Sequence, residues 1–376
     1  MNSDREKFHS HRRFLQAWMR NRALRALLTR LYDWRPIANP AAGYTLIIGC
    51  PASMTRVLYP NLALLMQQQR RHLRELVIVF DVTQRRRDAP LERDLATRFA
   101  ELNPRFIHYS PLQARIMDRI GWAWTYCWMS WALGVGAVRT RYALLHDLDA
   151  LLLRPDVIEE RYHEIRRRGD HFLGPRYYRG NGVGDDDGLV ATFEMIFNAD
   201  WLRAHVHPVE LFNRVARLNG RRIEYDTFLY PQRVSGRTSV MPITAEEMIH
   251  PSQLVCQFVE LRKRRRYVPP SRNNLPLLPY FHHLAGEAGV LERHGDALTQ
   301  ARGTVVDLFG HAMDLSQLSP RHTQWLHEQA RRVEQALVGR TRPEVDRYFD
   351  ALDALVARRD AHAGARPEAV PGVDPT

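Results

Sequence analysis

The chain has 376 residues, 45% of them hydrophobic and 26% charged. That length and mixture exclude a wholly disordered or fibrous chain and allow one large α/β domain or two smaller ones. The formal net charge of +12 rests almost wholly on arginine, with Lys7 and Lys263 the only lysines. The arginine-for-lysine bias alone is a weak functional signal, but the charge gives a basic surface suited to phosphates, anionic lipid or nucleic acid.

Residues 1–40 read as a basic amphipathic helical extension. Phe14, Leu15, Trp18, Leu24, Leu27, Leu28 and Leu31 supply its apolar face, and Arg12, Arg13, Arg20, Arg22, Arg25 and Arg30 its polar one. Such an element either packs on the main domain or serves as a membrane-surface or partner-binding helix. Pro36 and Pro40 end it. Tyr44–Gly49 then reads as a buried strand, Thr55–His72 as a helix, and Leu76–Phe80 as a second strand ending at Asp81. Arg85, Arg86 and Arg87 fall in the following loop, and Phe106–Tyr109 reads as a third strand. Gly121–Val138 is uncharged and has marginal spanning length. Its four tryptophans are spread through the segment rather than gathered at interfaces, which favours a helix buried against a sheet.

The most informative stretch follows: Tyr142–His146, Asp147, Leu148, Asp149 and a Leu-rich run to Leu153. Two acids one residue apart at the end of an apolar strand do not serve a core, because buried carboxylates are costly unless paired or bound to metal. Hard oxygen ligands there suit magnesium or manganese, which commonly also hold substrate phosphates. Downstream, Pro155–Arg168 reads as helix, Phe172–Leu173 and Thr192–Asn198 as strands, Tyr177–Gly188 as a loop, and Trp201–Leu218 as helix. The pattern is helical again from Ser316 to about Ala361. Alternating strands and helices imply a mainly parallel sheet covered on both faces, with ligands beyond the carboxyl ends of its strands. Asp81, the arginine loop and the two acids all belong to such ends. Cys50, Cys127 and Cys256 are scattered, and no apolar leader opens the chain, which fits a reducing cytoplasm.

The strand with its Asp147-Leu148-Asp149 motif resembles the DxD segment of GT-A fold nucleotide-sugar glycosyltransferases. Three later segments fall in the order that resemblance implies: Phe197-Asn198-Ala199; Glu224-Tyr225-Asp226-Thr227, opening a helix-like stretch; and His283-Leu284-Ala285-Gly286, where His282 and His283 are adjacent in an extended segment, so that at most one faces a metal. The resemblance spans roughly Tyr44 to Gly286 and implies a Rossmann-like α/β catalytic domain over 41–290; outside it, the helical pattern gives a helical region over 291–362, and the Pro-, Ala- and Gly-rich end a disordered tail over 363–376. It implies Mn2+ or Mg2+ on Asp147 and Asp149, with His283 completing the metal shell. Asp147, Asp81 and Asn198 would bind donor, and Asp226 would be the base of an inverting reaction. Asp185, Asp186, Asp187 and Glu194 are other acids in reach of that role, and a retaining enzyme would need none. The donor would be a nucleotide sugar, a UDP-sugar first, and the acceptor a glycan or lipid-linked hydroxyl. Contact with an anionic membrane from the cytoplasmic side would suit the N-terminal helix.

Two other readings compete. A haloacid dehalogenase-type phosphatase also places two acids after an apolar strand but needs a downstream lysine, for which only Lys263 is available. A non-enzymatic nucleic-acid or membrane binder would use the arginine runs at 85–87, 166–168 and 264–266, but no nucleic-acid motif accompanies them.

Overall fold

The computed structural model describes residues 7–178, 180–183, 188–218 and 220–364. The chain divides into two compact units, Met1–His250 and Pro251–Thr376. Residues 251–290, expected with the first domain, therefore group with the second unit. The expected tail, from 365 onward, lies outside the described residues.

The first unit runs α1 (His11–Thr29), β1 (Ala41–Cys50), α2 (Leu58–Gln67), β2 (Leu73–Thr83), α3 (Ala89–Arg98), β3 (Pro104–Tyr109), α4 (Pro111–Ile120), α5 (Ala123–Ala137) and β4 (Thr140–His146). It continues through β5 (Leu151–Leu152), α6 (Val157–Arg168), β6 (Phe172–Gly174), β7 (Glu194–Asn198), α7 (Ala199–His205), β8 (Arg214–Leu218), β9 (Arg221–Tyr225), α8 (Leu229–Ser235), β10 (Thr238–Val240) and β11 (Met248–Ile249). Seven strands form one sheet in the order β10-β6-β7-β4-β1-β2-β3. β7 runs antiparallel to both its neighbours, and every other pairing in the sheet is parallel. The α/β class expected from the sequence, a mainly parallel sheet flanked by helices, is the one observed.

The strands read as near-continuous apolar runs because helices cover both faces. Tyr44 to Ile48 and Leu76 to Phe80 are buried without alternation. The tryptophan-bearing α5 lies against β1 and β2. Its Gly134 permits the close approach, since a Cβ there would stand 2.5 Å from the Ile47 side chain. Trp128 is fully buried and donates its indole N–H to the Pro208 carbonyl at 2.8 Å. No helix among the described residues is long and apolar enough to cross a membrane.

Helix α1 is packed on this unit. Phe14 and Leu28 are buried, Asn21 donates to the Asn213 carbonyl, and Arg25 pairs with Glu210 at 2.7 Å. Its outer face leaves Leu15, Trp18, Met19 and Leu27 exposed.

Three expectations are corrected. The helix expected over Trp201–Leu218 stops at His205, and 214–218 is strand β8. Pro208, which has no amide proton, opens a short 3-10 turn between them. The helix expected over Thr55–His72 is a 3-10 turn followed by α2, ending at Gln67. Glu224 and Tyr225 end a strand rather than opening a helix.

The second unit comprises α9 (Leu254–Lys263), β12 (Arg266–Tyr267), α10 (Leu277–Leu284), α11 (Val290–Gln300), β13 (Val305–Leu308), β14 (His311–Asp314), α12 (Pro320–Val338) and α13 (Pro343–Gly364). Its helical C-terminal stretch matches the periodicity read from Ser316 onward. The carboxylate of Glu334 is fully buried and is met by Arg342 at 2.7 and 2.8 Å and by the Tyr280 hydroxyl at 3.2 Å. That satisfies a charge which would otherwise be costly. His282 and His283 lie on helix α10, not in the extended segment expected. The apolar spacing of Leu277, Leu278, Tyr280 and Phe281 carries that helix.

Candidate metal and donor site

Strand β4 ends at His146, and the chain turns at once. The Ala150 N–H donates to the Asp147 carbonyl at 3.0 Å, and the Asp147 N–H to the Phe193 carbonyl at 2.9 Å. Leu148 is buried in this turn, so the two aspartates flank an apolar anchor. Antiparallel pairing of β5 with β11 sets Ile249 opposite Leu151. The next residue, His250, is thereby delivered to the acids. Its Nε2 stands 3.6 Å from Asp147 Oδ2 and 3.6 Å from Asp149 Oδ1. The ring is stacked on Phe193, with centroids 4.5 Å apart.

Burial opposes a charge on His250, but the two carboxylates outweigh it and push the imidazolium pKa up to about 10. Without a metal, the proton on His250 offsets two acids, one of them, Asp149, only 4% exposed. Three donor atoms, two carboxylate oxygens and an imidazole nitrogen, lie within 4.8 Å of one another. That set fits a divalent ion that takes oxygen and accepts imidazole, so it suits Mn2+ better than Mg2+. The sequence reading missed His250.

A second residue it missed is Asn61, on the buried face of α2. Its amide nitrogen lies 3.2, 2.9 and 2.9 Å from the carbonyl oxygens of Asp147, Leu148 and Ala150. It is also 3.1 Å from His146 Nε2. His146 Nδ1–H in turn donates to Glu194, which is wholly buried. The two amide hydrogens of Asn61 are shared among these four acceptors. One amide thus lies against the carbonyls of the turn that carries the two acids. Glu194, one of the acids considered as a base, is committed to this network.

Asp81 stands at the carboxyl end of β2, where its Oδ1 accepts the Ala52 N–H at 2.8 Å and fixes the turn leaving β1. Asp226 follows β9. Its Oδ1 accepts the Thr227 N–H at 2.7 Å, and the Tyr177 hydroxyl donates to Oδ2 at 3.4 Å. Burial raises the Asp226 pKa above the ordinary carboxylate range, against the pull of those two donors. Burial likewise raises Glu224, which Lys7 faces at 3.7 Å. Phe193 links this region to the acids: it packs against the cluster of Tyr177, Ala191, Ile223 and Tyr225, and its ring stacks on His250.

Other expected residues are placed elsewhere. Asn198 faces Tyr142 in the β4–β7 register, whereas Glu194 faces His146. Four residue pairs separate these positions, on the order of 13 Å along the strand. Asn198 caps α7 instead, accepting the Trp201 N–H at 2.9 Å. His283 lies in the second unit with its Nε2 3.7 Å from Glu344, and burial lowers its pKa. The histidine grouped with the two acids is His250. Asp185, Asp186 and Asp187 lie outside the described residues. Two of the arginine runs are partly occupied: Arg167 and Arg168 pair with Glu164, Arg264 with Glu260, and Arg266 with Asp314.

No protein-family model and no curated protein matches the sequence. Solved structures do resemble it. The galactosyltransferase LgtC, in complex with donor and acceptor sugar analogues, aligns over 81% of this chain and 99% of its own at 11% identity and a TM-score of 0.42. The mannosyltransferase PcManGT of Pyrobaculum calidifontis, in complex with GDP-Man and Mn2+, aligns over 94% and 95% at 12% identity and a TM-score of 0.40. S. aureus TarS aligns over 89% of this chain at 14% identity and a TM-score of 0.36, and the match spans 57% of the TarS chain.

Proposed function

We propose that the chain is a GT-A-type glycosyltransferase that moves a sugar from a nucleoside-diphosphate donor to a hydroxyl acceptor. One observation carries this reading: Asp147, Asp149 and His250 form a three-donor divalent-cation set at the carboxyl edge of a mainly parallel sheet. A cation there would offset negative charge on the departing diphosphate. The chain's own residues do the rest. Asn61 and the β5–β11 pair hold the acids in position. Asp81, at the carboxyl end of β2, two strands along the sheet from β4, would meet the nucleoside side of the donor. In an inverting transfer Asp226 takes the acceptor proton, and its raised pKa makes it a better base than an ordinary aspartate. A UDP-sugar is the first donor to try, with a glycan or lipid-linked acceptor.

Thermal protection by a panel of nucleoside diphosphates and nucleotide sugars tests this reading, with Mn2+, with Mg2+ and with chelator. A ligand at about 100 times its dissociation constant adds ~2.7 kcal/mol, several degrees in Tm. A metal-dependent rise with one base supports the reading. A cooperative melt that no ligand moves in any metal overturns it.

The reading includes contact with an anionic membrane through α1. That helix contains arginines and no acidic residue, and it exposes Leu15, Trp18 and Met19. Replacing Arg12 and Arg22 with Glu is expected to weaken pelleting with anionic vesicles by about fivefold or more per residue, and salt should do the same to the parent. Unchanged pelleting would remove this element and leave the site untouched.

A further inference from the structure

A second cluster of metal-ligating groups lies at the opposite, amino edge of the sheet. It is built from His72, in the turn before β2, and from Glu159 and His163, one turn apart on α6. Tyr44, which touches it, pairs with Tyr142 in the sheet register. That is on the order of 13 Å along β4 from His146, which leads into the Asp147 site.

The two oxygens of Glu159 have different surroundings. Oε1 is saturated by the fold: the Tyr44 hydroxyl donates to it at 2.9 Å and the His72 backbone N–H at 3.0 Å. Oε2 faces two imidazoles, His72 Nδ1 at 2.7 Å and His163 Nε2 at 3.7 Å. His72 is itself fixed, because its carbonyl accepts the Tyr44 N–H at 3.0 Å. Its ring lies 4.8 Å from Tyr162 and 5.1 Å from His163. The Glu159 side chain is 6% exposed, and both its ion-pair partners among the described residues are histidines. A buried carboxylate is therefore neutralised by groups that are charged only when protonated. The histidine side chains are more open, at 35% and 59% exposure, which leaves a path for an ion.

We infer that His72, Glu159 and His163 form a site for a zinc-class divalent transition metal. Two imidazole nitrogens and one carboxylate oxygen are the donors that such an ion takes, with a fourth position left to solvent. The Tyr44 hydroxyl and the His72 amide, hydrogen-bonded to the non-ligating oxygen, are the outer support that metal-binding carboxylates usually have. Around a tetrahedral ion with bonds of ~2.0 Å, ligand atoms stand ~3.3 Å apart. Insertion therefore requires His72 and Glu159, at 2.7 Å, to part by ~0.6 Å and His163, at 3.7 Å, to close by ~0.4 Å. Such an ion would tie α6 to the β1–β2 edge. The inference does not rest on the proposed function.

The test is calorimetric titration with Zn2+ of the full chain carrying Asp149→Asn, which disables the carboxyl-edge site. One Zn2+ per chain is expected, weakened at least about tenfold by His163→Ala and by Glu159→Gln. Zn2+ should also raise the Tm of this chain but not that of the His163→Ala variant. The exposed position of His163 keeps that variant folded. Absence of saturable binding at ~100 µM Zn2+, or equal binding by the His163→Ala chain, would overturn the assignment.

Discussion

Asp149→Ala is expected to weaken Mn2+ binding by at least about 100-fold, since changes outside the ligand shell alone cost ~10–100-fold. Sugar transfer should fall with it. Both carboxylates face His250 at 3.6 Å, but Asp149 is the stronger probe of the pair because it is almost wholly buried, whereas Asp147 is part-exposed. His250→Ala should reproduce the effect, because it removes the nitrogen donor from between both acids. Chelation of the parent protein should give the same loss, reversed by adding Mn2+ back. Asn61→Leu should give a milder version, about 10–100-fold in Mn2+ affinity with the ligands all present. It leaves the carbonyls of Asp147, Leu148 and Ala150 without their shared donor, at a cost of ~1–3 kcal/mol for each that stays unsatisfied. Direct titration with Mn2+ is the measurement. Parent-like affinity in both Asp149→Ala and His250→Ala would mean that the three residues are an ion pair and nothing more.

The parts of this site that were legible in the sequence are those carried by local pattern. The runs at 44–49, 76–80 and 142–146 announce strands buried on both faces, and acids at the end of one of them announce chemistry. His250 was not legible because a strand pairing of only two residues, Met248–Ile249 with Leu151–Leu152, brings it to the acids. No periodicity shows in segments that short. Asn61 did leave a signal: a lone amide among Leu58, Leu62, Leu64 and Leu65, on a helix face with no water to satisfy it. Buried amides are hydrogen-bonded, so such a residue marks whatever backbone lies against the helix. Asn198 misled because the segment around it lies on the strand next to the acids, and register, not adjacency, decides which residues share an end. His283 misled through secondary structure: a helix, not a strand, carries the two adjacent histidines. The acid pair pointed to the kind of site proposed, and long-range pairing brings the third candidate donor, His250, to it.

Asp226→Asn is expected to lower turnover by ~10²–10⁴-fold and, in the same protein, to raise its melting temperature. The two signs share one cause. Burial lifts the Asp226 pKa above its unfolded value, so the folded chain holds that proton more tightly than the unfolded chain does. Stability linked to this group is therefore greatest at low pH. It falls as pH rises from the unfolded pKa through the folded one, and above both the buried charge is a full cost. The amide removes that cost, and its oxygen can still accept the Thr227 N–H. The stabilisation should thus be present at neutral and alkaline pH and shrink in acid. The parent's rate should move the opposite way: the base works only when ionised, so activity is lost as pH falls through a pKa above the usual carboxylate range. Lys7 holds down the pKa of Glu224 and Asp226 alike, so Lys7→Ala should move that acid limb to higher pH. A variant stabilised as expected but turning over within about threefold of the parent would show a strained buried acid without a proton to take. The transfer would then proceed with the donor phosphate as base, and the retaining route would be the one to pursue.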